Sequence, residues 1–169
     1  SLLPAGGVPH WLAISHWNAG EWEPAEKYMR EALAASDSPY HHFGLARVLD
    51  QGGKADEAKA EYQAAIAGNP EHLAAKAYLL MLELTPEQDA VAEIQAFFDA
   101  NPGMVPARVA SDLTLTMANA FLAKGDVDKA KSAIRQAKIN DPDYKPLLDW
   151  KPPAAEGEGE GEDAEKKGS

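Results

Sequence analysis

Residues 52–70 read GGKADEAKAEYQAAIAGNP. Two glycines open the stretch, Asn69-Pro70 closes it, and a run of good helix formers lies between. Ala58, Tyr62 and Ala65 are spaced by four and then three, so they share one face of a helix. Gly53 supplies the backbone freedom to end one helix and begin the next within a few residues. Pro70 stops the run. A face of two alanines around one tyrosine is short of bulk, which suits a helix whose neighbours come close.

The same frame recurs along the chain. It gives Ala25, Met29 and Ala32, then Ala90, Ile94 and Phe97, then Ala130, Ile134 and Ala137. The anchors Ala25, Ala58, Ala90 and Ala130 are 33, 32 and 40 residues apart. Five residues before them stand Gly20, Gly53, Thr85 and Gly125, and twelve before them Ala13, Ala46, Tyr78 and Ala118. Thirteen before stand Leu12, Leu45, Ala77 and Met117. Each unit therefore reads as helix, tight turn, helix, over residues 6–38, 39–70, 71–102 and 106–142. Ser38-Pro39, Thr85-Pro86 and Val105-Pro106 read as helix starts, with Thr85 as a cap and Gln88 completing a capping box. The 40-residue step predicts an extended first helix in the fourth unit, Pro106 to Lys124. The third unit has Tyr78 and Phe97 at small-residue sites and Thr85 in place of the turn glycine. Its helices are expected to pack more loosely or at an altered angle. One such unit cannot bury its apolar faces alone, so the units stack into an all-α solenoid of antiparallel helix pairs within residues 1–150.

This spacing resembles the tetratricopeptide repeat family. The second unit matches best, with Leu45, Ala46, Leu49, Gly53, Ala58, Tyr62, Ala65 and Pro70 where that pattern puts similar residues. The fourth, from about Ser111 to Pro142, is nearly as good, and the first carries His16 where a large apolar residue is usual. The resemblance covers roughly residues 6–142. It implies a right-handed solenoid whose concave face, lined by the first helix of each pair, binds a protein or peptide.

On that register the face carries His10, Trp11, Ile14 and Trp17 from the first unit and Tyr40, Phe43 and Arg47 from the second. Lys76 and Leu79 follow from the third, and Leu115 and Asn119 from the fourth, with Gly44, Gln51, His72, Asp112 and Thr116 among them. Trp, Tyr and Arg are the residue types that dominate binding energy at interfaces, and flat rings over an open groove suit an extended or helical peptide. The expected function is a non-catalytic adaptor. The alternative is a structural subunit of a larger assembly, buried through its convex face or stack ends, and homo-oligomers through the stack ends fit either. One branch of the family grips the C-terminal carboxylates of heat-shock chaperones with a Lys/Asn/Arg clamp. The matching places here hold His10, Ile14, Gly44, His72 and Lys76, of which only Lys76 is cationic, so that activity is not expected.

Other chemistry finds little support. The five histidines show no HExxH and no pair at a spacing of four, so no metal site and no cofactor is expected. Neither Gly6-Gly7 nor Gly52-Gly53 has the spaced glycines and Lys-Ser/Thr of a phosphate loop. No nucleophile elbow or triad motif is legible. A net charge of −11 argues against a nucleic-acid partner. The absence of cysteine rules out disulfides and thiol chemistry. No apolar run approaches the roughly 18 residues of a membrane span, so no direct membrane insertion is expected. No basic stretch with an apolar run opens the chain, and Ser1 rather than Met suggests an upstream segment was removed. The compartment is left open between cytoplasm and periplasm. The alanine-rich spelling has a bacterial look.

After the repeats, Tyr144, Leu147, Leu148 and Trp150 offer an apolar cap for the open end of the stack, residues 143–150, or else a linear motif that inserts into a partner or into the groove of another copy. Residues 151–169 then carry six acids, three lysines, glycine and proline with no core former. That composition reads as a disordered acidic tail, solvating or reaching a basic partner.

Overall fold

The computed structural model describes residues 6–152. The tail reading for the residues beyond 152 lies outside this range. Four helix pairs follow one another. They are α1 (Gly7–Asn18) with α2 (Trp22–Ala35), α3 (Pro39–Gln51) with α4 (Ala55–Gly68), α5 (Leu73–Glu83) with α6 (Ala90–Ala100), and α7 (Ala107–Ala123) with α8 (Val127–Asn140). A short helix, α9 (Lys145–Asp149), closes the series, and no strand occurs among the described residues.

Three of the pairs turn through the same device. Gly20, Gly53 and Gly125 have φ of 75°, 79° and 78°, and nothing lies within 4 Å of a Cβ placed on any of them. Their role is thus the left-handed backbone that reverses the chain, not a lack of room. The turns need only residues 19–21, 52–54 and 124–126. The third pair has no such glycine, and its link stretches over residues 84–89. The expected helix start at Thr85 is corrected here. Helix α6 begins at Ala90, and the Asp89 carboxylate caps it by accepting from the Val91 and Ala92 N–H groups at 3.1 and 3.3 Å. Gln88 does accept from the Thr85 N–H at 2.8 Å, but within the turn before the helix.

The small anchors sit where helices meet. Ala25, Ala58 and Ala130 are fully buried, as are Ala13, Ala46 and Ala118, and Met29, Tyr62 and Ile134, one turn further along the same helices, are buried with them. Helices α1 to α4 each pack on their chain neighbours, whereas α5 and α6 have little close backbone contact and both reach α7 instead. Tyr78 of the third pair turns away from α6, toward Tyr62 of α4, Arg47 of α3 and Asp112 of α7. One core runs from Ala13 to Met117. A second cluster joins Ala118, Ala130, Ile134 and Ala137 to Leu147 of α9, with Tyr144 and Trp150 packed against it. Leu148, grouped with those residues as a cap former, points outward and is 52% exposed.

Candidate functional site

The first helices bring together one cation and a set of rings. The Arg47 guanidinium of α3 lies 3.6 Å from the centroid of Tyr78 on α5 and 5.5 Å from that of Trp17 on α1. It makes no ion pair among the described residues. Behind it Tyr78 stacks on Tyr62 at 6.1 Å with planes 13° apart, and Phe43 meets Tyr62, His72 and Tyr78.

Asp112 of α7 completes the arrangement. It accepts a hydrogen bond from the Tyr78 hydroxyl at 2.5 Å and another from the Tyr144 hydroxyl. One carboxylate therefore ties α5, α7 and the segment entering α9. Burial raises the pKa of both phenols, and the Asp112 charge adds to this, while Arg47 opposes it. Both tyrosines stay protonated donors. Tyr144 is held from its other side too. The Arg108 guanidinium lies 4.0 Å over its ring and pairs with Asp141 at 2.9 Å, and Ser111 donates to the same Asp141 carboxylate.

Between these groups opens a cleft of about 370 Å³. Arg47, Asp50 and Gln51 line it from α3, Tyr78, Met81 and Leu82 from α5, and Asp112, Leu115 and Thr116 from α7, with Tyr144 at one wall. It offers apolar surface, a stacked cation and carboxylates. These groups suit recognition of a side chain. Among the described residues no three His, Asp or Glu side chains gather closely enough to hold a metal.

The residues assigned to the groove from the sequence fall into separate places. Arg47 and Leu115 line the cleft, and Trp17 adjoins it through Arg47. Phe43, Ile14 and Leu79 are half-buried against the core. Lys76 is half-buried and Asn119 exposed, and neither lines the cleft. His10 is buried rather than open, because its ring packs 4.6 Å from Tyr40 and 5.6 Å from His41, with Nε2 2.7 Å from the Tyr40 hydroxyl. Trp11 and Tyr40 are exposed beside it, at the N-terminal end of the stack. The sequence reading missed Tyr78 and Tyr144 as groove residues. The signal was present for Tyr78, since a large ring at a small-residue site must displace something.

Residues 12–72 match the family model described as "Tetratricopeptide repeat". Over that stretch the chain carries tetratricopeptide repeat sequence. Its fold is similar to that of a thermophilic TPR protein of Thermus thermophilus, with a TM-score of 0.59 at 18% identity over 82% of this chain and 75% of that one. It is similar as well to YrrB, described as a TPR protein with an unusual peptide-binding site, with a TM-score of 0.52 at 18% identity over 85% and 73% of the two chains. A third likeness is to MamA of Desulfovibrio magneticus RS-1, with a TM-score of 0.52 at 15% identity over 84% and 78%. At such identities these likenesses carry the fold alone. No curated protein sequence matches the chain closely enough to count as a relative. No helix among the described residues of this repeat protein is long and apolar enough to cross a membrane.

Proposed function

We propose that this repeat protein is a non-catalytic adaptor that holds a protein or peptide segment on the face formed by α1, α3, α5 and α7. The observation that supports the reading best is the cleft around Arg47, Tyr78 and Asp112. It is open, it is lined from three first helices, and its one cation has no carboxylate partner among the described residues. Binding there works by complementarity. Met81, Leu82 and Leu115 receive an apolar side chain, while Arg47 and Asp50 fix the register of the backbone. YrrB, whose description names a peptide-binding site, shows that the fold accommodates such a role.

The test is a pull-down with the full chain and two variants, Leu115→Arg and Leu82→Arg, each placing a charge in the cleft. Partners captured by the wild type and lost by both variants, with unchanged melting, support the groove. Partners retained by both reject it.

A second reading rests on Val8, Trp11 and Leu12. They are 54%, 64% and 40% exposed on the outer side of α1, an apolar stripe at the stack end that suits a subunit of a larger assembly. Size measurement of the isolated chain separates the two, because a stable monomer favours the adaptor.

A further inference from the structure

The chain leaves the described structure at Pro152, and Pro152 is itself a wall of a second cleft of about 370 Å³. The other lining residues are Lys131, Ile134, Arg135 and Lys138 of α8, with Trp150. Lys131, Arg135 and Lys138 are spaced by four and three, so they share one helix face. None of the three makes an ion pair among the described residues, although the protein as a whole has a net charge of −11. This is a cationic, partly apolar surface on an acidic molecule. Four residues beyond Pro152 the sequence turns to Glu156, Glu158, Glu160, Glu162, Asp163 and Glu165, with no base among residues 156–165.

We propose that this cleft of α8 is a docking surface for an acidic extended segment, and that its occupant is the chain's own 156–165. Three things on the molecule favour that occupant. The first is place, since four residues reach about 13 Å, enough to bring Glu156 from Pro152 onto the face. The second is spacing. In an extended chain alternate residues point one way, about 6.6–6.8 Å apart, while Lys131 and Arg135 are about 6 Å apart along α8 and Lys138 lies about 4.5 Å beyond. In that alternation Gly157, Gly159 and Gly161 would face away from the helix, so every side chain from 156 to 162 that faces it is a glutamate. The third is charge, six acids against three unpaired bases. Each exposed pair is weak alone. The tether raises the effective concentration to the order of millimolar, which lets several weak pairs act together. The contact covers the one strongly basic face of α8, so an acidic partner must displace the tail to reach it.

The chain has no cysteine, so Gly159→Cys in the whole 169-residue chain carries a single nitroxide label. Amide signals of residues 131–138 are expected to lose about half their intensity at low salt and to recover toward 1 M salt, where the Debye length falls to about 3 Å. Charge reversal in K131E/R135E/K138E is expected to abolish the effect. A second variant replaces Glu156, Glu158, Glu160 and Glu162 by Gln, leaves the folded part untouched, and is expected to do the same. Undiminished signals at low salt overturn the proposal, as does broadening that survives both variants. Broadening seen only when labelled protein is mixed with isotope-enriched, unlabelled protein assigns the face to a second copy and likewise overturns it.

Discussion

The Arg47 guanidinium of α3 stacks on the Tyr78 ring of α5 at 3.6 Å from its centroid. It is the point where the cleft lined by α3, α5 and α7 meets the core of the stack. Behind the ring lies Tyr62, fully buried, and from its edge the hydroxyl reaches Asp112. Arg47→Lys keeps the charge and removes the planar stack, so it is expected to cost about 1 kcal/mol, as a shift in the urea midpoint. Tyr78→Phe keeps the stack and removes one donor from Asp112, with an expected cost of about 1 kcal/mol. A double-mutant cycle between Arg47→Ala and Tyr78→Leu is expected to show a coupling of about 0.5–2 kcal/mol. Additivity would show that the stack contributes nothing.

Asp112 is expected to be the more sensitive position. Asp112→Ala leaves the Tyr78 and Tyr144 phenols without their acceptor in a part-buried setting. The expected loss is about 2–4 kcal/mol, larger than that of either tyrosine changed to Phe, because each orphaned hydroxyl carries a desolvation penalty of about 1–3 kcal/mol. Urea denaturation of the three variants side by side checks the ranking.

Much of the scaffold is legible in the sequence, since each contact is marked by a small residue at fixed spacing. Ala58 and Tyr62, or Ala130 and Ile134, are readable because close helix packing admits few alternatives. The first helices are harder. On the register, His10 and Arg47 look alike as polar groove residues. Only the three-dimensional packing shows that Tyr40 and His41 bury the first while Tyr78 and Trp17 hold the second beside the cleft. Tyr144 could not be placed beside Asp112 by any local pattern, since the two are joined only through the return of the chain after α8.

The end of the stack gives a contrast between neighbours. Leu147 is fully buried against Ala118, Ala130, Ile134 and Ala137, while Leu148 is 52% exposed. Leu147→Ala is expected to cost about 2–5 kcal/mol, through lost burial and the cavity left behind. Leu148→Ala is expected to fall within about 0.5 kcal/mol of wild type. Equal effects at the two positions would mean that α9 does not pack as described.

The turns differ in a way that substitution can read. Gly53→Ala is expected to cost about 1–2 kcal/mol, since φ is 79° and the added methyl meets nothing within 4 Å. Thr85→Gly, which restores the usual turn residue of the repeat, is expected to bring no stabilisation. The link there already runs through residues 84–89, and glycine only enlarges the unfolded ensemble, at about 0.4–1 kcal/mol. Thermal unfolding of both variants checks this, and a higher midpoint for Thr85→Gly would contradict the reading of the third turn.

His42 makes the stability of the second pair depend on pH. Its Nδ1 lies 2.5 Å from Glu61 on α4 and its Nε2 2.9 Å from Asp37 before α3. Burial lowers the imidazole pKa, but the two carboxylates outweigh it and the net shift is upward. A histidine whose folded pKa is raised adds stability that is fully present below its unfolded value of about 6.5 and is lost as pH rises through the folded pKa. His10 and His72 work in the opposite sense, because burial lowers their pKa and folding then loses stability as pH falls below about 6.5. The wild-type profile mixes the three, so the test is the difference between wild type and His42→Gln. That difference in unfolding free energy is expected to be about 1 kcal/mol near pH 5.5 and to shrink toward pH 8.5, as the imidazolium loses its proton. A difference that stays constant across this range would mean that the imidazole charge contributes nothing to holding α3 on α4.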